Sequence, residues 1–220
     1  MLVITMKCYF IFIIIYILDR IIIKLNKNGR WFQLHAIINI IITLLTMNDV
    51  KDCITNPEKS NEIVPLQNSA GFALLLHIYH CLMFKIRYDD WIHHISSVFL
   101  TTPIFVSYPC KGTSFFLFIA TGLPGAIDYI GLSLYKNDVI SKYKQKHITS
   151  LINSYIRMPG GAICSFLLFK DGMYNNGIYN EPYHNLNIMK LMLSMVCFVN
   201  TSYYGVQAIQ NFENYKNNLF

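Results

Sequence analysis

About seven apolar runs, separated by short polar loops, leave this chain few ways to fold. The runs are Leu2 to Leu18, Phe32 to Met47, Gly71 to Ile86, Trp91 to Val106, Ser114 to Tyr135, Ile148 to Phe169 and Leu186 to Ala208. A helix that crosses a bilayer needs roughly 20 mostly apolar residues, and these runs are near that length. Their Ile-rich character would also suit β-strands. Runs this long with no hairpin turns between them favour helices, which satisfy every backbone group within one segment. Composition points the same way: 54% of residues are hydrophobic and 14% charged, against about 25% charged in ordinary soluble domains. The expectation is an all-α, multi-pass membrane protein.

The chain divides into residues 1–29, an N-terminal anchor helix with a basic loop; 30–210, a six-helix membrane domain; and 211–220, a polar tail. The first apolar run exceeds the usual signal-peptide core of about 7 to 15 residues and lacks a small-x-small cleavage site, so it reads as a retained helix. The polar stretch Asn48 to Ala70, with Pro57 and Pro65, reads as the longest internal loop. Eleven basic residues, including Arg20, Lys24, Lys142, Lys144 and Lys146, fall on one side of this topology and six on the other. The positive-inside bias then puts the C-terminus in the cytosol, and the net charge of +6 is topological in origin. No clustered basic face with base-stacking aromatics on a soluble fold is present, which argues against a nucleic-acid partner.

Polar residues inside the runs call for a shared interior. His35, Asn39 and Thr43 recur every four residues and so share one helical face. His94, Ser97 and Thr101 form a second stripe, Asn153, Arg157, Gly160, Gly161 and Cys164 a third, and Asn200, Tyr203, Tyr204 and Gln207 a fourth. Helices with one polar stripe each are satisfied by turning the stripes inward, which predicts a helical bundle around a polar-lined cavity. Asp128, in Gly122-Leu123-Pro124-Gly125-Ala126-Ile127-Asp128, and Arg157 are the natural intramembrane pair. That pair reads either as a neutralised structural contact or as a clamp for an anionic substrate group. The six cysteines show no metal-like grouping; Cys53 and Cys110, both in non-cytosolic loops of this topology, can form a disulfide there.

The richest local feature is the doublet His93-His94, in Asp90-Trp91-Ile92-His93-His94-Ile95-Ser96-Ser97, following Leu76-His77-Ile78-Tyr79-His80. Histidine titrates near neutral pH, and an intramembrane cluster of it marks a functional-site hypothesis. This order, followed by the Gly-Leu-Pro-Gly helix and Arg157-x-Pro159, resembles the TLC-domain superfamily, the membrane domain of ceramide synthases, translocon-associated proteins and lipid-composition regulators. The resemblance covers roughly residues 30–210 and implies a six-helix barrel that holds a lipid chain. In the ceramide synthase branch, the paired histidines are essential for moving a fatty acyl group from coenzyme A to a sphingoid amine. The resemblance therefore gives His93 and His94 the catalytic role, with acyl-CoA as co-substrate. His77, His80, Ser97, Asp128, Asn153 and Arg157 are the expected substrate-binding residues. The acidic His-Asp-x-x-Asp stretch of ceramide synthases is missing, because the chain continues through Thr101-Thr102-Pro103 into an apolar segment. Binding or modification of a membrane lipid is the broader expectation, in the endoplasmic reticulum or a related endomembrane, with a homodimer as a further expectation.

Two other classes compete. His77 and His80, at i and i+3, share a face and can ligate a metal jointly, as in a membrane lipid hydrolase or hydroxylase, but the chain has only seven histidines and no full metal box. No metal ligand is therefore assigned. A non-enzymatic lipid sensor or membrane-composition regulator would hold the same histidines as bonded core residues. His35 reads as structural, and His147 and His184 as loop residues.

Overall fold

The computed structural model describes residues 2–26, 28–65, 67–86, 91, 94–101, 105, 108–174 and 184–218. Those residues are overwhelmingly helical: α1 (Leu2–Leu25), α2 (Arg30–Thr55), α3 (Gln67–Met83), α4 (Lys111–Leu117), α5 (Leu123–Lys136), α6 (Lys142–Ile152), α7 (Met158–Tyr174) and α8 (His184–Asn217). Three π-helical turns interrupt the α-helical winding, at Ser96–Thr101, Phe118–Gly122 and Asn153–Arg157. The second joins α4 to α5 and the third joins α6 to α7, so each pair runs on as one long helix. An isolated antiparallel bridge, Ile63 to Cys110, is the sole β contact among the described residues. Arg30–Thr55 and Lys111–Lys136 are long and apolar enough to cross a membrane.

α2 runs through the centre, packing against α1, α3, α4 and α5, and its residues Leu34, Ile38 and Ile42 are fully buried. Its start is set by Gly29, whose φ of +69° favours a residue without Cβ, with Lys136 close by. Its end departs from expectation. The stretch Asn48 to Ala70 is not a loop throughout: α2 continues to Thr55 and α3 begins at Gln67. The polar residues that suggested a loop are paired across the fold instead. Ser114 donates to Asp49 at 2.6 Å, and Lys111 reaches Asp52 at 2.7 Å.

α7 and α8 pack closely because their facing residues are small. A Cβ on Gly161 would lie 2.0 Å from Thr201 Oγ1, and one on Gly205 would lie 2.3 Å from Met158 Cγ. The hydroxyls of Ser165 and Ser194 each donate to the other's backbone carbonyl, at 2.9 and 2.8 Å. Two members of the expected stripe on the last helix, Tyr203 and Gln207, are not part of this seam. The inward face of α8 is Leu193, Cys197 and Thr201, whereas Tyr203 is 56% exposed and bonds to the exposed Gln207. Residues 211–217, expected as a tail, continue α8, and Phe212 is buried against Tyr143 and His147.

The two ends of the bundle differ in charge. At one end, Lys111 bridges Asp52 and Glu62, Lys170 pairs with Glu58, and Ser60 donates to buried Asp171 at 2.6 Å. At the other end the α1–α2 loop meets the end of α5 through Asn26 and Asn137, and α6 starts beside the end of α8. Cys53 and Cys110 are both buried free thiols.

Candidate functional site

Two helices and the segment after the second bring four histidines together. His35 comes from α2, His77 and His80 from α3, and His94 from just before the first π turn. All four are buried, none more than 8% exposed. His80 Nδ1 and His94 Nε2 lie 2.9 Å apart, so one imidazole donates a proton to the other. His77 Nδ1 donates to the backbone carbonyl of Ala73 at 2.6 Å, which fixes its ring one turn along its own helix. Its ring then stands edge-on to that of His94, with centroids 4.9 Å apart.

Aromatic rings close around the cluster. Trp31 stacks on His80 at 3.6 Å between centroids and meets His35 edge-on at 4.3 Å. Tyr129 of α5 stacks on the other side of His35 at 4.0 Å. Stacking of this kind lowers the freedom of each ring and excludes water from its faces. Behind His80 stands Phe84, with the Arg30 guanidinium 4.5 Å above its ring. Arg30 is held in a two-pronged bond to Asp19, which is wholly buried and also accepts a hydrogen bond from Tyr79 at 2.6 Å. A buried pair of this geometry locks α1 to α2 and α3, and thereby fixes the wall behind His80.

A second polar centre lies on the neighbouring face of α5, about 100° around the helix. Arg157 Nη1 donates to Asn153 Oδ1 at 2.8 Å and lies 3.7 Å from Asp128 Oδ2, while Asn153 Nδ2 donates to that same carboxylate oxygen at 3.4 Å. The expected Asp128–Arg157 pair thus forms, with Asn153 as its bridge. Asp128 Oδ1 and Arg157 Nε are buried without a hydrogen-bond partner among the described residues. Between the two centres, Thr121 of the second π turn donates to Asn39 Oδ1 at 3.0 Å.

Of the residues singled out in sequence, His77, His80 and His94 meet in one cluster and Asp128, Asn153 and Arg157 in another. His93 and the side chain of Ser97 lie outside the described residues. His35, read as structural, belongs to the cluster through its stack on Tyr129. The signal that could have joined it is its i+4 spacing from Trp31, which puts both rings on one face of α2. Nothing in sequence linked Asp19 to Tyr79. Among the described residues, no group of three or more His, Cys, Asp or Glu side chains is arranged to hold a metal ion. An open apolar groove of about 420 Å³ lies elsewhere, between α7 and α8, lined by residues including Phe166, Phe169, Met195 and Phe198. None of the expected cavity residues lines it. Comparison with protein-family models, curated proteins and solved structures finds no match to this chain.

Proposed function

We propose that this chain is a multi-pass membrane protein of TLC type that binds and modifies a membrane lipid, using the histidine cluster for acyl transfer. The observation that carries the reading is the 2.9 Å contact between His80 Nδ1 and His94 Nε2 within a buried cluster. Two imidazoles that share a proton form an acid–base unit, and general acid–base catalysis asks for a group that can hold and return a proton near neutral pH. In this scheme an imidazole takes the proton of a lipid amine or hydroxyl as that group attacks the carbonyl carbon of an acyl thioester. The new C–N or C–O bond forms, the C–S bond breaks, and the imidazolium returns its proton to the leaving thiolate. His93, next to His94, is the second candidate for this proton.

Support for a membrane setting comes from the outer surface. Phe10, Phe99, Tyr155, Phe166 and Met195 are each at least 64% exposed, on top of two helices long enough to span. Apolar exposure on this scale suits a lipid environment. The proposed orientation has the C-terminus in the cytosol, in an endoplasmic-reticulum-like membrane, where acyl-CoA has access. The stacks of Trp31 on His80 and Tyr129 on His35 favour a second reading, a lipid-sensing module whose histidines hold packing rather than protons.

Lipid profiles of cells expressing wild type, His93→Ala and His94→Ala at matched levels separate the two. Catalysis predicts one acylated lipid class that rises with wild type and falls to background with His94→Ala. Lipid changes that persist unaltered in both variants would refute the catalytic histidines.

A further inference from the structure

We propose that Lys142, Lys146 and Tyr215 form a binding site for the phosphate headgroup of an anionic phospholipid at the basic end of the bundle. The inference rests on the membrane reading above. Lys142 and Lys146 occupy i and i+4 on α6, and their ammonium groups lie 5.1 and 5.8 Å from the centroid of one ring, Tyr215 of α8. Like charges at this helical spacing repel. Neither lysine has a carboxylate partner among the described residues, whereas at the opposite end Lys111 and Lys170 are both neutralised by acids. α6 has no acidic residue, and the one acid of α8, Glu213, lies 3.9 Å from Lys216. The ordinary affinity of Lys146 for its proton is lowered by burial and then by the charge of Lys142, as expected where two cations stand close without a counter-charge.

Two cations without a counter-charge, at the basic end of a bundle read as spanning a membrane, complement the phosphate of an anionic lipid headgroup. Juxtamembrane lysines attract anionic lipid by a known increment, and the aromatic ring between them adds a rigid interfacial wall.

The test uses the full chain reconstituted in nanodiscs of phosphatidylcholine doped with phosphatidylserine, with retained lipid counted by native mass spectrometry. Wild type is expected to retain phosphatidylserine in preference to phosphatidylcholine. The pair K142Q/K146Q should lose it roughly fivefold per lysine, on the order of 25-fold together, while K142R/K146R keeps it. Equal retention of the two lipids by wild type, or wild-type retention by a K142Q/K146Q protein that melts normally, overturns the site. So does thermal stabilisation by inorganic phosphate in lipid-free detergent that matches the effect of phosphatidylserine, because the ligand is then a free anion. Alkaline extraction of membranes keeps the two proposals apart. A chain released by alkali refutes the membrane reading, and one that stays without enriching phosphatidylserine refutes this site alone.

Discussion

Gly125→Ala probes the seam that carries the histidine cluster. A Cβ at position 125 would lie 2.6 Å from Nδ2 of Asn39 and 3.5 Å from its Cγ. Ordinary contact distances are about 3.5 to 4.0 Å, so something must move by about 1 Å. Asn39 has no room to yield: it is fully buried, and its Oδ1 accepts the Thr121 hydroxyl at 3.0 Å. Moving the amide breaks that bond; keeping it pushes α2 from α5, where one turn on His35 stacks against Tyr129 at 4.0 Å. Overpacking costs about 1 to 3 kcal/mol and a lost buried hydrogen bond about 1, offset by up to about 1 from replacing a helical glycine. The net loss is about 1 to 4 kcal/mol, or roughly 3 to 12 °C in melting temperature for a chain of this size. Thermal melts of detergent-purified protein measure it. Asn39→Ala removes the obstructing amide, so the double variant should be at least about 1 kcal/mol more stable than the sum of the single losses. A Gly125→Ala protein that melts with wild type, or a double variant additive to within about 0.5 kcal/mol, would refute the close-approach argument.

Other consequences follow from buried charge and buried sulfur. Asp19→Ala strands the Arg30 guanidinium against Phe84 and should cost about 3 to 5 kcal/mol in a thermal melt, whereas Asp19→Leu with Arg30→Met should cost clearly less. Arg157→Gln leaves the Asp128 carboxylate with the neutral partners Asn153 and Thr149 and should cost about 3 kcal/mol, with Asp128→Asn in the same chain recovering most of it. Cys53, Cys110, Cys164 and Cys197 are fully buried while Cys8 and Cys81 are partly exposed, so maleimide should add to at most two of the six thiols natively and to all six after denaturation, read by intact mass. A denatured count of four would instead signal a disulfide.

How much of this was legible in the chain depends on the distance over which each feature is decided. Helical character followed from run length alone. The i, i+3 spacing of His77 and His80 put them on one face, and the short connection to His94 made their meeting plausible from sequence. The Asp128–Arg157 pair followed from the rule that an apolar interior does not leave a charge alone. Features set by distant partners were not readable. Asp49 and Asp52 look like loop residues until Ser114 and Lys111 are brought to them, and α2 then gains two further turns. The inward face of α8 is chosen by Gly161 and Gly205, whose role depends on Thr201 and Met158 across the interface. Periodicity on α8 itself offered Tyr203 and Gln207 as equally good polar contacts, and they lie outside.

The three π turns join these levels. They end at Thr101, Gly122 and Arg157, and in each case a proline follows two residues later, at 103, 124 and 159. Proline has no N–H to donate, and its ring crowds the carbonyl four residues before it. In the second and third turns the winding widens just ahead of the proline: the Leu123 and Met158 N–H groups reach back five residues, to the carbonyls of Phe118 and Asn153. In an apolar bundle those displaced backbone groups need polar neighbours, because water is not at hand to take them. The same segments carry the polar side chains of both centres. Thr121 lies in the second turn, Asn153 and Arg157 bound the third, and His94 precedes the first by two residues. A widened turn also shifts the helical register by about one residue, which turns a side chain that would face outward toward the interior. The prolines therefore do more than bend these helices. They set the local winding from which the polar groups project, and that explains why strict 3.6-residue periodicity placed only some of these side chains.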